Sequence, residues 1–205
     1  MIIIVDYSLN NIFSVKSSLE FMNIECKVSN KPEEISKATH IILPGVGSFF
    51  AAMQNIKQKN IDIAMQDAAK RGTQILGICL GMQLLAKKGY EDGISDGIGL
   101  ISSEVNEFDK TKTNKKKIPH VGFNNININK SNKLFKNIED GSDFYFNHSY
   151  IINTEKKDKN IIFHKGKYGQ EFVAAFEYNN INGTQFHPEK SQTNGLMLLR
   201  NFINL

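Results

Sequence analysis

Residues 1–5, Met-Ile-Ile-Ile-Val, form a continuous apolar run that stops at Asp6. The run is largely β-branched and lacks polar alternation, which predicts a strand buried on both faces of a parallel sheet. From Asn10 to Met22, the residues Ile12, Val15, Leu19 and Met22 recur at helical spacing and predict a crossover helix. Ile24–Val28 and Ile41–Leu43 are strand-like again, and Pro44-Gly45-Val46-Gly47 halts the second abruptly. A helical stretch over 49–70 ends at Arg71-Gly72, with glycine in its usual terminating place. Ile75–Cys79 is another buried strand, and Met82–Lys88 a helix closed by Gly89. Strands and helices alternating in this way predict an open, mostly parallel α/β sheet with right-handed crossovers.

Beyond residue 90 the pattern changes. Short alternating runs at 98–108, 121–128, 143–152, 160–165 and 172–178 are split by Asn, Gly and Lys clusters. They predict antiparallel strands added to the same sheet or forming a small second one. Gly183–Phe186 closes the series as a strand, and Asn194–Ile203 as a helix with Leu196, Leu199 and Phe202 facing inward. Neither a repeat nor a long linker divides the chain, so residues 1–205 are expected to form a single domain.

Composition narrows the function classes. The 205 residues are 40% apolar and 22% charged, ordinary for a soluble globular chain. Net charge is only +4. The basic runs at Lys115–Lys117 and Lys156–Lys159 carry no interleaved aromatics, so they read as solvated loops and not as a nucleic-acid surface. The apolar start has no basic flank and is too short for a signal or a membrane span. Two cysteines, Cys26 and Cys79, make no disulfide framework. A cytoplasmic enzyme in a reducing compartment is expected.

The candidate chemistry begins at Gly77-Ile78-Cys79-Leu80-Gly81. A buried strand runs straight into a helix, and the corner residue is a cysteine with glycine two positions away on each side. That is the nucleophile-elbow pattern with sulfur in place of a hydroxyl. Side chains at the glycine positions would collide with the neighbouring strand and helix. The corner sets the sulfur at the sheet's carboxyl edge beside a helix N-terminus, which favours thiolate. The plainer reading is a buried core cysteine, and Cys26, in Ile24-Glu25-Cys26-Lys27-Val28, is assigned to packing. A thiolate that cleaves an amide needs a general acid for the departing amine, a task that suits histidine. Of the five histidines, His40 and His164 sit in structural settings. His187 follows an apolar strand and is fixed by Pro188, and Glu189 is placed to hold its far nitrogen as the third member of a triad.

Together, Gly77-Ile78-Cys79-Leu80-Gly81-Met82-Gln83 and Gln185-Phe186-His187-Pro188-Glu189-Lys190-Ser191 resemble the two signatures of class I glutamine amidotransferases. Within that group the chain is most similar to the glutaminase subunits of imidazole glycerol phosphate synthase. Supporting segments in family order are Ile4-Val5-Asp6-Tyr7, Leu43-Pro44-Gly45-Val46-Gly47, Ile118-Pro119-His120-Val121-Gly122-Phe123-Asn124 and Tyr145-Phe146-Asn147-His148-Ser149-Tyr150. The resemblance implies a flavodoxin-like fold with helices on both faces of the sheet, and a reaction needing no cofactor or metal. In it Cys79 attacks the glutamine side chain, His187 shuttles the proton, Glu189 steers His187, and water hydrolyses the thioester. The backbone N–H groups of Val46 and Leu80 would hold the oxyanion. Val46 lies between two glycines, so a peptide flip that switches this hole on with the partner is expected. Gly47 and Gln83 match substrate contacts, with His148, Ser149 and Tyr150 near the α-carboxylate; for His148 and Tyr150, packing is the alternative. The implied partner is a (β/α)8 cyclase of histidine biosynthesis that receives ammonia through a channel, with His120, Phe123, Tyr145 and Lys190 at the interface.

Two departures concern docking. Phe123 stands where the family usually has tryptophan, and Tyr7-Ser8-Leu9-Asn10-Asn11 lacks the usual glycines, with Ser8 and Asn10 in their place. A paralogue serving another synthase, such as one aminating a surface sugar, would keep the same triad. A non-catalytic binding subunit predicts damaged catalytic positions, yet Cys79, His187 and Glu189 are all present. A cysteine peptidase is disfavoured by Gln83 and Val46-Gly47, which fit a small amide.

Overall fold

The computed structural model describes residues 1–9, 11–113, 116–129, 133–153 and 160–205. Asn10, Lys115 and Lys156–Lys159 lie outside these residues. In the first half the order is β1 (Ile2–Val5), α1 (Ile12–Phe21), β2 (Lys27–Ser29), α2 (Pro32–Ile35), β3 (His40–Gly45), α3 (Phe49–Gln58), α4 (Ile61–Lys70), β4 (Gln74–Cys79) and α5 (Leu80–Leu84). The strands β5 (Lys88–Gly89), β6 (Ser95–Asp96), β7 (Glu104–Glu107), β8 (His120–Asn127), β9 (Asp143–His148), β10 (Tyr150–Asn153), β11 (Ile162–Tyr168), β12 (Gln170–Tyr178) and β13 (Ile181–Thr184) follow, and α6 (Gln192–Ile203) comes last.

Nine strands form one mixed sheet in the order β2-β1-β3-β4-β13-β12-β11-β8-β9. The β2 to β13 half is parallel, and the rest pairs antiparallel. The expected α/β architecture with added antiparallel strands is present, and the parallel part is five strands wide. A second, four-stranded sheet runs β10-β7-β5-β6, so the second half both extends the main sheet and builds a small one.

The continuous apolar runs have the expected cause. Ile3, Val5, Ile41, Leu43 and Ile75 pack on one face with Ile35, Met53, Ile56 and Met65 of α2, α3 and α4. Ile4, Ile42, Leu76 and Ile78 pack on the other with Val15 and Leu19 of α1 and Leu198, Leu199 and Phe202 of α6. Successive residues of one strand thus feed opposite layers. Each fully buried side chain of this kind contributes about 1.5–3 kcal/mol.

Several boundaries differ from the sequence reading. The 49–70 stretch is two helices, because its apolar stripe 49, 52, 53, 56 resumes at Ile61, one position late, and Asn60 takes a left-handed turn at φ 55°. The helix after Cys79 ends at Leu84, and the chain turns through 85–87 into β5 at Lys88–Gly89, where the sequence pattern predicts a longer helix. The Ile24–Val28 run pairs only from Lys27. The 98–108 run is a strand only over Glu104–Glu107, with Ile98 and Ile101 buried in irregular chain. On α6, Leu198 takes the inward place assigned to Leu196, which is half-buried. The 143–152 run breaks at Ser149, where the chain leaves the large sheet for the small one.

Candidate active site

Cys79 ends the central strand β4 with φ 54° and ψ −112°, a region that L-residues rarely occupy. The flanking glycines explain how the corner fits. A Cβ on Gly81 would lie 1.7 Å from the Leu43 carbonyl oxygen, and one on Gly77 would lie 2.6 Å from the backbone of Gly81 and Met82. Strand and helix therefore touch backbone to backbone, and the strain at Cys79 is sustained by packing on both sides. Because α5 has only five residues, its dipole aids a thiolate less than a full-length helix would.

His187 follows β13 and opens a 3₁₀ turn at Pro188–Lys190. Its N–H donates to the Tyr145 carbonyl at 2.9 Å, and the Ser191 hydroxyl donates to its carbonyl at 2.6 Å. The ring's Nδ1 meets Glu189 Oε1 at 2.8 Å, and the Glu189 side chain is 1% exposed. The imidazole also lies near enough to the Cys79 sulfur to feel its charge, and both line one cavity. Burial opposes a charged ring here, but the sulfur and the Glu189 carboxylate outweigh it and raise the pKa of His187 to about 10. An imidazolium between a sulfur and a carboxylate is equipped to donate a proton and to hold the resulting tautomer.

Cys79 and His187 open onto one cavity with Val46, Gly47, Leu80, Gln83, Glu91, Pro119, Asn147, His148, Ser149, Tyr150 and Lys190. Two members of the expected triad, both oxyanion candidates and all five expected substrate contacts therefore line one cavity, with Glu189 buried against His187. The Gln83 side chain donates to the Tyr150 carbonyl at 3.0 Å and to Gln185 Oε1 at 2.9 Å. His148 is buried, its Nδ1 2.9 Å from the Tyr150 carbonyl, so that nitrogen carries the proton. Its Nε2 must then accept from His120 Nδ1, 3.1 Å away. Burial drives the pKa of His148 down to about 3 and that of His120 to about 4.

The Val46 N–H donates to the Leu9 carbonyl at 3.4 Å. That amide is committed to the β1–α1 loop, while the Leu80 N–H sits in the first turn of α5, where helical donors have no intrahelical acceptor. One of the two expected donors thus serves another oxygen.

Three of the four expected interface residues form one group, of which Lys190 lines the cavity. Phe123 is 52% exposed and packs edge-on against Tyr145 at 5.6 Å between centroids, and Lys190 Nζ lies 5.7 Å over the Tyr145 ring. His120 departs from the expectation. It is 2% exposed, stacked on Tyr168 at 4.0 Å and on Phe146 at 4.8 Å, so its ring is a core element. On β8 it points inward while Val121 and Phe123 point out.

Sequence reasoning missed Glu91 and the acceptor role of Asn147. Glu91 Oε2 accepts the Phe49 N–H at 3.0 Å, and burial pushes its carboxyl above the usual carboxylate value. Nothing in Tyr90-Glu91-Asp92-Gly93 distinguishes it from an ordinary surface turn. The thiol Sγ of Cys79 reaches the Asn147 carbonyl at 3.7 Å. His164 and His40 are structural as expected: His164 pairs with buried Glu177 at 3.0 Å, and His40 packs edge-on against Phe202. Cys26 is half-buried beside the α1 and α6 layer.

The arrangement has counterparts elsewhere. Residues 3–205 match the family model described as glutamine amidotransferase class-I. The chain is 42% identical to the imidazole glycerol phosphate synthase subunit HisH 1 of Campylobacter jejuni strain RM1221, over the whole of both chains. It is 44% identical to subunit HisH 2 of Methanococcus maripaludis, over 99% of this chain and 98% of that one. Among solved structures, PurLQS from Thermotoga maritima superposes with a TM-score of 0.76 at 20% identity, covering 99% of this chain and 97% of that one. A glutamine amidotransferase from the same organism gives 0.66 at 15%, covering 99% and 82%, and both likenesses bear on the fold. A strained cysteine corner, a late histidine steered by glutamate, and a match running from residue 3 to residue 205 agree: the chain belongs to the class-I glutamine amidotransferases.

Proposed function

We propose that this chain is the glutaminase subunit of an imidazole glycerol phosphate synthase, with Cys79, His187 and Glu189 as its triad. The observation that carries the reading is the placement of His187, which shares one cavity with Cys79 and meets the buried Glu189 carboxylate through Nδ1 at 2.8 Å. In the first step the Cys79 thiolate adds to the carboxamide carbon of glutamine, and the carbonyl oxygen becomes an oxyanion. His187 gives its proton to the nitrogen, the C–N bond breaks, and ammonia leaves a γ-glutamyl thioester. His187 then takes a proton from water, hydroxide adds to the thioester carbon, and glutamate departs as Cys79 regains its thiolate. The Leu80 and Val46 N–H groups face the two oxyanions once Val46 is released from Leu9. Gln83, Gly47, Ser149 and Tyr150 grip the amino-acid end, with His148 behind Tyr150 and the Glu91 carboxylate facing the α-ammonium.

Ammonia released into water is protonated and lost, so a docked acceptor enzyme raises the yield. The partner proposed is the cyclase subunit, a (β/α)8 barrel, seated on the group formed by Phe123, Tyr145 and Lys190, the last of which lines the cavity. Histidine biosynthesis in the cytoplasm fits a nucleophile that must stay a free thiol. No described helix is long and apolar enough to cross a membrane. We take residues 1–205 as one domain, since one sheet joins strands from Ile2 to Thr184.

The test is glutamate formation by the chain alone and with the cyclase and its ribotide ligand. We expect a rise of about 100-fold or more in the complex, the usual worth of one oxyanion donor. Equal rates would sink the activation step, and no glutamate in either case would sink the glutaminase reading.

A second acceptor is the alternative. Methanococcus maripaludis carries two relatives numbered HisH 1 and HisH 2, 40% and 44% identical to this chain. With Phe123 in place of the usual tryptophan, a glutaminase serving another synthase is the rival reading. Rescue of a histidine auxotroph by this gene with its cognate cyclase separates the two.

A further inference from the structure

The signature around His187 contains a residue that the mechanism above leaves without a role. Gln185 is wholly buried, and its backbone N–H donates to the Ala174 carbonyl at 2.8 Å. Its side-chain oxygen accepts from Gln83 Nε2 at 2.9 Å. That bond fixes which end of the amide is which, because Gln83 offers only N–H there and an oxygen must receive it. The Gln185 NH2 group is then turned the other way, and it lies 3.8 Å from Cys79 Sγ.

The titratable groups within electrostatic reach of the sulfur are the His187 imidazole, which favours its ionised form, and the buried Tyr7 hydroxyl. One further polar neighbour has the preference opposite to that of Gln185. The Asn147 carbonyl, 3.7 Å away, can accept from a thiol but repels a thiolate. Gln185 can only donate, so it favours the ionised sulfur. Its orientation is set two bonds away, since the Gln83 amide is itself anchored on the Tyr150 carbonyl at 3.0 Å, which His148 also holds at 2.9 Å.

We propose that Gln185 is the hydrogen-bond donor that holds and stabilises the Cys79 thiolate, with Gln83 as the residue that keeps its amide facing the sulfur. The inference rests on the glutaminase reading for its purpose and on the geometry for its content. A donor to a charged sulfur strengthens when the charge forms, so its removal shifts the thiol–thiolate balance toward thiol.

The experiment needs neither glutamine nor a partner. Carbamidomethylation of Cys79 by iodoacetamide is followed against pH by mass spectrometry of the Cys79 peptide, which separates it from Cys26. In Gln185→Leu, and in the unbranched Gln185→Met as a second variant, we expect an alkylation rate about 10-fold lower on the acidic limb. The rate should be equal or slightly higher on the alkaline plateau, where all the sulfur is ionised. A uniform fall at every pH, or no change, overturns the proposal, because a packing role alters access and leaves the titration in place. The unmodified protein supplies an independent measurement. The Gln185 side-chain N–H resonances must titrate with Cys79, and resonances that stay still overturn the proposal without any variant. Normal glutaminase turnover with unchanged titration refutes this inference alone, whereas absent turnover with the coupling intact refutes the glutaminase reading alone.

Discussion

The N–H of Val46 and the carbonyl of Leu9 meet at 3.4 Å, and that bond ties the loop after β3 to the loop after β1. The contact is long for an N–H···O bond and half of it belongs to a residue that is 40% exposed, so it is inexpensive to break. An amide held there is stored at low cost and is available on demand.

The first expectation follows from that bond. Val46→Pro removes the N–H while leaving the triad in place. Turnover of the free chain should change little, and the increase given by the loaded cyclase should fall by about 100- to 1000-fold. Steady-state glutamate release with and without the partner measures both.

Loss of the nucleophile should be nearly complete. Cys79→Ala is expected to lower turnover by about 10⁴-fold or more, in line with triad nucleophiles elsewhere, while folding is retained. Glutamate release measures the first, and a melting curve the second. Glu189→Gln should cost about 10²- to 10⁴-fold, because an amide N–H turned toward Nδ1 imposes the wrong tautomer on His187.

Stability should fall on the alkaline side of neutrality. His187 is raised from 6.5 to about 10, so between these values the folded chain holds a proton that the unfolded chain has released. Its contribution is complete below pH 6.5 and disappears as pH rises toward 10. Urea midpoints from pH 7 to 10 should decline, and less steeply in Cys79→Ala, which removes the sulfur that helps to raise it.

An acid limb should arise from a different pair. His120 and His148 are lowered from 6.5 to about 4 and about 3, so below pH 6.5 the unfolded chain binds protons that the native chain refuses. Stability present above pH 6.5 is lost progressively as pH falls. His120→Phe, which keeps the stack on Tyr168 and Phe146, should flatten the loss between pH 6.5 and 4.5 in the same urea series.

The elbow should tolerate no side chain. Gly81→Ala brings a methyl carbon to 1.7 Å from the Leu43 oxygen, and parting the backbones should cost about 3 kcal/mol or more. Thermal melting of the variant reports it, together with loss of turnover.

Much of this was legible in the residues. The strands read as buried because Ile3 and Ile4, or Ile41 and Ile42, are both apolar, as opposite layers require, in short β-branched runs. Cys79 stood out because Gly77 and Gly81 mark a backbone contact that any Cβ would break. What was not legible depended on distant partners. The single stretch 49–70 hid a one-residue slip in its stripe at Asn60. His120 was expected at the interface only because the resemblance placed it there, and the pairing of β8 with β9 shows it opposite His148 in the core. Glu91 carries no local mark, and Gln185 is marked only as part of the signature around His187; what each does comes from Phe49 and Gln83, 42 and 102 positions away.

The break at Ser149 has a consequence for how the molecule comes together. Asn147 and His148 belong to the large sheet and Tyr150 to the small one, so the cavity proposed to take glutamine exists only after both sheets have formed and met. A chain stalled with either sheet unmade has no recess to fill, and ligand capture thereby doubles as proof that assembly is finished.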